Sequence, residues 1–554
     1  MAQLPPAWMV KIHTIHILLC AFLITTSCEI VFAQPPTPGA VQETLRPQSP
    51  RPGMDISPLP EMTPPPPPPR PSAPPDTRRI RINRFAITGN TIFNEAQLRD
   101  IIADQEGAEL TLAEIYGLAD RLTDFYQSRG YSLTTVTVPA QKMQDGLLRL
   151  EVVEGKVGKL VFTGNQRYSD AFLTHHLDLL PPGSILRFEE LESEVLLLND
   201  LPGLTARSVL EPGEKYGTTD INLRMEEKPI SASAVVDNTG RKMIGQWRLG
   251  ADFSINNPFK YGDVLGLGYT HSQSSLLRQG RFSYGLPILA DGTRLNLSYA
   301  RAEYDVSGDF DALGIAGLSE TARIQISHPL IRSRRNNLAW TVGAAHVLGQ
   351  SDMMAIPLSD DTIDYLETGL SYTHRNDSGG TSSLSGSLAT NFQSNPDGIN
   401  NEALPPRLEL HADHEHFLGK GWSALLRGEA VLSTETLPDS NKYSLGGPTN
   451  VRGFVSSRLR GDQGAMASLE LRRMYSFSHA DLMLRGFVDA GRVSYELPMA
   501  DGSTSDSLAS AGAGLSVFLA GKYSLDMQWA SPIDSNDSGD DLNAPLWLTF
   551  TAMY

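Results

Sequence analysis

The sequence predicts a membrane β-barrel of about sixteen antiparallel strands preceded by two small α+β domains. Two observations carry this prediction. Residues 230–554 divide into segments of roughly ten residues that alternate apolar and polar side chains, with Gly, Asn, Asp and Ser between them. Residues 78–229 contain one pattern twice, at a spacing of about 75 residues. The composition agrees with both. The 554 residues carry 63 acids against 46 bases, a formal net charge of -17, which excludes a nucleic-acid binder dependent on a basic face. Repeated apolar runs long enough for a helical membrane bundle are missing, but alternating strands lower mean hydropathy without removing a lipid-facing surface.

Lys11 and His13 precede an apolar stretch from Ile15 to Thr25, and Val31, Phe32 and Ala33 form a small-residue exit before Gln34. This pattern predicts a cleavable signal peptide over residues 1–33. Both cysteines, Cys20 and Cys28, lie within it, so no disulfide, thiolate metal site or cysteine nucleophile is expected in the mature chain. Residues 34–77 are rich in proline, including the run Pro64 to Pro69, and are expected to form a disordered linker without a helix.

The first α+β domain is placed at residues 78–154 and the second at 155–229. Ile87-Thr88-Gly89-Asn90 in one corresponds to Phe162-Thr163-Gly164-Asn165 in the other. Each copy begins as a strand, turns at Gly-Asn, and enters a helix with Asn94 or Ser169 as N-cap. In the first copy Ile115, Leu118, Ala119, Leu122 and Phe125 recur at helical spacing, the helix stops at Gly130, and two strands follow.

From residue 230 onward alternation is legible strand by strand. Leu295, Leu297 and Tyr299 oppose Arg294, Asn296 and Ser298; Leu525, Met527 and Trp529 oppose Ser524, Asp526 and Gln528. Apolar faces persist over this region with no helix to cover them, which a closed sheet facing lipid accounts for better than a soluble sandwich. Trp529, Trp547 and Tyr554 are expected in an interfacial aromatic girdle. Within His411-Ala412-Asp413-His414-Glu415-His416, strand alternation sends His411, Asp413 and Glu415 to one face and His414 and His416 to the other. A ligand set divided in this way is poor for one ion, and no metal site is expected. Nor do the sequence motifs suggest a catalytic constellation or a cofactor-binding loop.

Several motifs in order resemble one known family. Phe125-Tyr126-Gln127-Ser128-Arg129-Gly130-Tyr131, Val138-Pro139-Ala140-Gln141 and Val152-Val153-Glu154-Gly155 are similar to its first POTRA (polypeptide-transport-associated) domain; Leu210-Glu211-Pro212-Gly213 closes a second. In the barrel, Leu445-Gly446-Gly447 followed by Val451-Arg452-Gly453-Phe454 resembles an inward-folded loop motif, and Phe487-Val488-Asp489-Ala490-Gly491 its partner strand. The family is that of two-partner secretion transporters of the TpsB, or ShlB/FhaC/HecB, type, within the superfamily that includes BamA.

The resemblance implies an outer-membrane pore, with POTRA domains in the periplasm, that recognises an unfolded exoprotein and secretes it. It also implies that Arg452 pairs with Asp489, while Gly453 and Gly491 let loop and wall approach closely. The strand register supports that pair independently: Leu482, Leu484 and Val488 take the lipid side, leaving Arg485, Phe487 and Asp489 toward the lumen. Phe550 and Tyr554 occupy the positions of a C-terminal signal for barrel-assembly machinery. The expected partners are an adhesin or haemolysin of the TpsA type, outer-membrane lipid and that machinery. BamA-like insertion of other barrels is the nearest alternative; a passive porin or receptor and an outer-membrane enzyme belong to other classes.

Overall fold

The computed structural model describes residues 37–45, 78–391, 404–499, 502–533 and 545–554; the expected signal peptide lies outside them. Sixteen antiparallel strands, from Ile230–Asp237 to Leu546–Met553, pair with their neighbours and close into a barrel. The closing seam joins last strand to first, from Thr549 opposite Asp237 to Met553 opposite Ser233, and Ala232 and Tyr554 exchange two further backbone hydrogen bonds. Closure leaves the barrel without an unpaired edge, which lipid cannot satisfy. The two faces differ sharply in exposure. On Gln463–Ser476, Leu469 and Leu471 are 58% and 46% exposed, whereas Glu470 and Arg472 are 3% exposed, so the charged face is the packed interior.

Both α+β repeats have the same topology. In the first, Arg84–Thr88 runs parallel to Leu147–Val153, which pairs with Thr135–Thr137; helices Glu95–Ile102 and Leu112–Gln127 complete it. In the second, Lys156–Thr163 runs parallel to Thr218–Glu227, which pairs with Leu204–Pro212, with helices Asp170–His175 and Phe188–Asn199. Asn94 caps its helix through the Gln97 N–H, and Ser169 accepts from the Phe172 N–H. Each repeat has its own apolar core: Ile87, Leu98, Leu122, Tyr126 and Leu150 in one, Leu173, Leu191, Val195, Ala206 and Leu223 in the other.

The second repeat grips the barrel turns nearest to it. Arg332 donates twice to Asp200, both at 2.7 Å, and Arg334 pairs with Glu192 at 3.3 Å. The Arg167 guanidinium donates to the Asn257 carbonyl, whose side-chain amide donates back to the Arg167 carbonyl. Gly262 lies so close to Phe172 and Leu201 that a Cβ there would sit 2.8 Å from the Phe172 ring.

One expectation is corrected. Within the proline-rich segment taken as a disordered linker, Pro38–Leu45 forms an α-helix inside the barrel. Thr37 caps it, accepting from the Ala40 N–H, and Pro38 opens the first turn, where its missing N–H costs nothing. Val41 is fully buried among Ile244, Leu277, Ala302, Tyr304 and Ile315. Composition hid this helix because its stability comes from those tertiary contacts; eight residues hold little helix on their own.

Candidate functional site: an inward loop clasped by the barrel wall

The connection between strands Trp422–Ser433 and Gln463–Ser476 folds back into the lumen. Its stem is a short ladder pairing Tyr443 with Gly461 and Leu445 with Leu459. Gly446 and Gly447 take φ values of 98° and 120°, which turn the chain where a side chain would be strained. The tip carries Val451, Arg452, Gly453 and Phe454. Val451 and Phe454 pack with Val347, Ile363, Tyr365 and Val431 of the wall, which fixes the tip from its apolar side.

Arg452 is the polar anchor. Its Nε and Nη2 donate to the two oxygens of Asp489, both at 2.7 Å, and its backbone N–H donates to the same carboxylate at 3.1 Å. Nη1 donates to Glu470 at 2.6 Å and Nη2 to Ser468 at 3.0 Å; the Ser468 hydroxyl donates on to Asp489. The guanidinium lies over the Phe487 ring, 3.3 Å from its centroid. A fork-shaped cation thus meets a two-oxygen acceptor, a second carboxylate and an aromatic face, a geometry that lysine cannot reproduce. Arg452 is 5% exposed and Asp489 fully buried, so each charge depends on the other for stabilisation.

The glycines fit this clasp by omission. A Cβ on Gly453 would come within 2.5 Å of Ser510, whose hydroxyl accepts from the Gly453 N–H, and one on Gly491 would strike Leu445 at 2.7 Å. Gly512 and Gly514 leave room for the lumenal side chains of Phe487 and Arg485 in the same way. From Glu470 the charges continue along the wall: Arg472 donates to Glu470 at 2.7 Å and to Glu415 at 3.3 Å, and Arg485 donates to Asp526 at 2.6 Å.

Glu470, Ser468 and Ser510 belong to none of the sequence motifs, yet they complete the clasp. Their lumenal register was readable, but their meeting with Arg452 depends on how far the loop descends. Trp547 corrects the expected girdle. It is buried on the lumenal side, and its indole N–H donates to the Arg452 carbonyl at 2.9 Å. The alternation that sends Leu546 and Phe550 outward places Trp547 inward. Phe550 faces outward and stacks on Tyr523, with ring centroids 6.4 Å apart, while Tyr554 is 74% exposed beyond the last strand.

The helix inside the barrel is tied to this same loop. The Gly39 N–H donates to Asp439 at 3.1 Å, and Arg460 donates to both Asp439 and the Thr37 hydroxyl. A Cβ on Gly39 would sit 2.4 Å from the Asp439 carbonyl oxygen, so the helix seats through glycine.

Residues 217–517 match the family described as haemolysin secretion/activation protein ShlB/FhaC/HecB, more than half of the chain. The chain belongs to the ShlB/FhaC/HecB family. Residues 80–155 match the ShlB-type POTRA domain. The chain is 26% identical to the heme/hemopexin transporter protein HuxB of Haemophilus influenzae strain 86-028NP, over 82% of this chain and 83% of that one. It is 25% identical to the hemolysin transporter protein ShlB of Serratia marcescens, over 78% of each. The solved structure of CdiB from Escherichia coli superposes over the whole of both chains with a TM-score of 0.73 at 21% identity, a likeness of fold. As a TpsB transporter, this ShlB/FhaC/HecB member sits in the outer membrane with its POTRA domains in the periplasm and secretes a partner exoprotein. The barrel turns gripped by the second POTRA domain are therefore periplasmic, and the inward loop enters from the opposite, extracellular end.

Proposed function

We propose that this transporter takes an unfolded TpsA exoprotein of the adhesin or haemolysin type from the periplasm and passes it through a lumen held ready by the Arg452 clasp. The observation carrying this reading is the placement of one buried guanidinium between Asp489 and Glu470, which fixes a long extracellular loop inside the pore. No nucleotide-binding motif is evident in the sequence, so the drive is assigned to folding of the client outside the cell. In the resting state the helix Pro38–Leu45 occupies the lumen and must move for the client to pass. Exposed edges of the POTRA sheets offer the client main-chain pairing with little demand on its sequence. Phe550 and Tyr554 serve the transporter's own insertion by barrel-assembly machinery.

The test compares culture medium and outer membrane by quantitative mass spectrometry with and without this protein. Loss of one large secreted protein, with other barrels unchanged, identifies the client. Broad loss of outer-membrane barrels would transfer the protein to the insertion class, and no change in either fraction would leave a porin or receptor. Arg452→Ala should leave a folded barrel in the membrane and stop secretion; wild-type secretion by that variant would refute the role given to the clasp.

A further inference from the structure

The outer wall formed by Arg407–Gly419, Trp422–Ser433 and Gln463–Ser476 is apolar over most of its height, with Leu410, Leu426, Leu432, Leu469 and Leu471 exposed on it. The carboxylates of these strands turn inward: Glu409 meets Arg407, Asp413 meets Arg427, Glu415 meets Arg472, and Glu470 meets Arg452. Arg473 has the opposite register. It follows Leu469 and Leu471 on the lipid side, opposite Trp422 at the periplasmic end of the wall.

The guanidinium of Arg473 lies between two aromatic rings, 5.3 Å from the Trp422 centroid and 5.1 Å from that of Tyr475. It tips toward the periplasmic turn, with Nη1 3.7 Å from where a Cβ on Gly421 would be. Nη1 is shielded from solvent and has no hydrogen-bond partner among the described residues. Lys420 is exposed in the same turn. His414 and His416, stacked 6.2 Å apart, extend this polar belt on the neighbouring strand. An arginine at the end of a lipid-facing wall is stabilised by a counter-charge at the headgroup level. The carboxylates that supply one elsewhere in these strands point into the lumen, and the anion abundant at this depth is the phosphate of a lipid headgroup.

We propose that Arg473, clamped by Trp422 and Tyr475 and assisted by Lys420, binds the phosphodiester of one phospholipid in the periplasmic leaflet. With Nη1 turned into the wall, the Nε–Nη2 edge of the guanidinium suits two phosphate oxygens, the rings hold it in place, and the adjacent leucines receive the acyl chains. The site lies on the outside of the strand that carries Glu470 and Ser468, so a bound lipid buttresses the part of the wall that holds Arg452.

Native mass spectrometry of the full-length protein, delipidated in detergent and titrated with dioleoylphosphatidylglycerol, tests the assignment. The wild type should retain one lipid more tightly than the rest, and Arg473→Gln should bind it about tenfold more weakly. Arg301→Gln, which removes an exposed arginine outside this belt, should leave that binding unchanged. Trp422→Leu keeps the charge and should weaken binding to a lesser degree, providing a second readout if Arg473→Gln does not fold. Equal lipid retention by wild type and both belt variants would overturn the proposal. So would tight binding of inorganic phosphate alone, which would indicate a free-anion site instead of a lipid site.

Discussion

Glu154 and Glu227 make the same contact in successive POTRA domains. Glu154 directly follows the last strand of its repeat and Glu227 ends the last strand of its own, and each turns its carboxylate onto backbone N–H groups of the repeat's own Gly-Asn turn: Thr91 and Ile92 for Glu154, Gln166, Arg167 and Tyr168 for Glu227. In the first domain the carboxylate also accepts from the Tyr126 hydroxyl, 3.1 Å away in the FYQSRGY segment. In the second, the turn held by Glu227 is the one that carries Arg167 onto the barrel. One device therefore closes each domain and, in the second, also presents the barrel contact.

Glu154→Gln should loosen the first POTRA domain by about 1–3 kcal/mol at neutral pH, the usual cost of removing a buried charged acceptor. Burial opposes the charge on Glu154, and the bonds from Thr91 and Ile92 override it, holding the carboxyl below the usual range. Its contribution is thus complete above about pH 5 and fades as acid protonates it. Hydrogen exchange across residues 87–102 in wild type and variant, at neutral and acid pH, measures both effects.

Glu194 has the opposite sign. Burial in the second POTRA core pushes its carboxyl up to about 7, despite an N–H bond from Leu179, and nearby Asp178 and Glu190 add to the rise. The domain favours the protonated form, so its stability falls as pH rises from about 4.5 through about 7. Glu194→Gln should match wild type near pH 4.5 and exceed it at pH 8 by on the order of 1–3 kcal/mol after solvent screening. Protease resistance of the POTRA region across that range is the readout, and a constant difference at every pH would contradict the assignment.

At the clasp, Asp489→Asn should cost about 3–5 kcal/mol of loop anchoring because it leaves Arg452 buried and undercompensated. Restoring neutrality with Arg452→Met in the same chain should recover part of that loss while secretion stays absent. The protection of residues 445–461 from limited proteolysis, read beside secretion, separates anchoring from transport.

Gly39→Leu should unseat the helix, since even a Cβ collides with the Asp439 carbonyl. Planar-bilayer recordings should then show larger and more persistent open events than wild type. Asp439→Ala, which removes the acceptor for Gly39 and Arg460, should produce the same change more mildly; quiet traces from both variants would count against a closing role for the helix.

Much of this molecule could be read before its structure, because strand alternation and a repeated turn are local patterns. The outward register of Leu484 and Val488 against the inward register of Asp489 needed one strand only. The pairing of Arg452 with Asp489 followed from family likeness and that register. Glu470 required a third fact, the depth to which the loop descends, which no single segment encodes. For Trp547 residue type and position conflict: an aromatic side chain suits the interfacial girdle, but its place in the alternation puts it in the lumen. At Pro38–Leu45 proline composition argues for extended chain, whereas Thr37 followed by Pro38 is also a helix start, decided here by apolar contacts contributed by distant strands.

On the closing role proposed for it, the in-lumen helix also sets how the channel resets. Residues 46–77 join it to the first POTRA domain, and 32 residues span at most roughly 100–115 Å when fully extended. A helix expelled by a passing client therefore remains leashed to its own pore. Its return is a first-order event at a local concentration on the order of millimolar, set by the leash and not by how many transporters the cell makes. With that role each pore carries its own stopper, and a membrane with few copies should reseal as quickly after secretion as one with many.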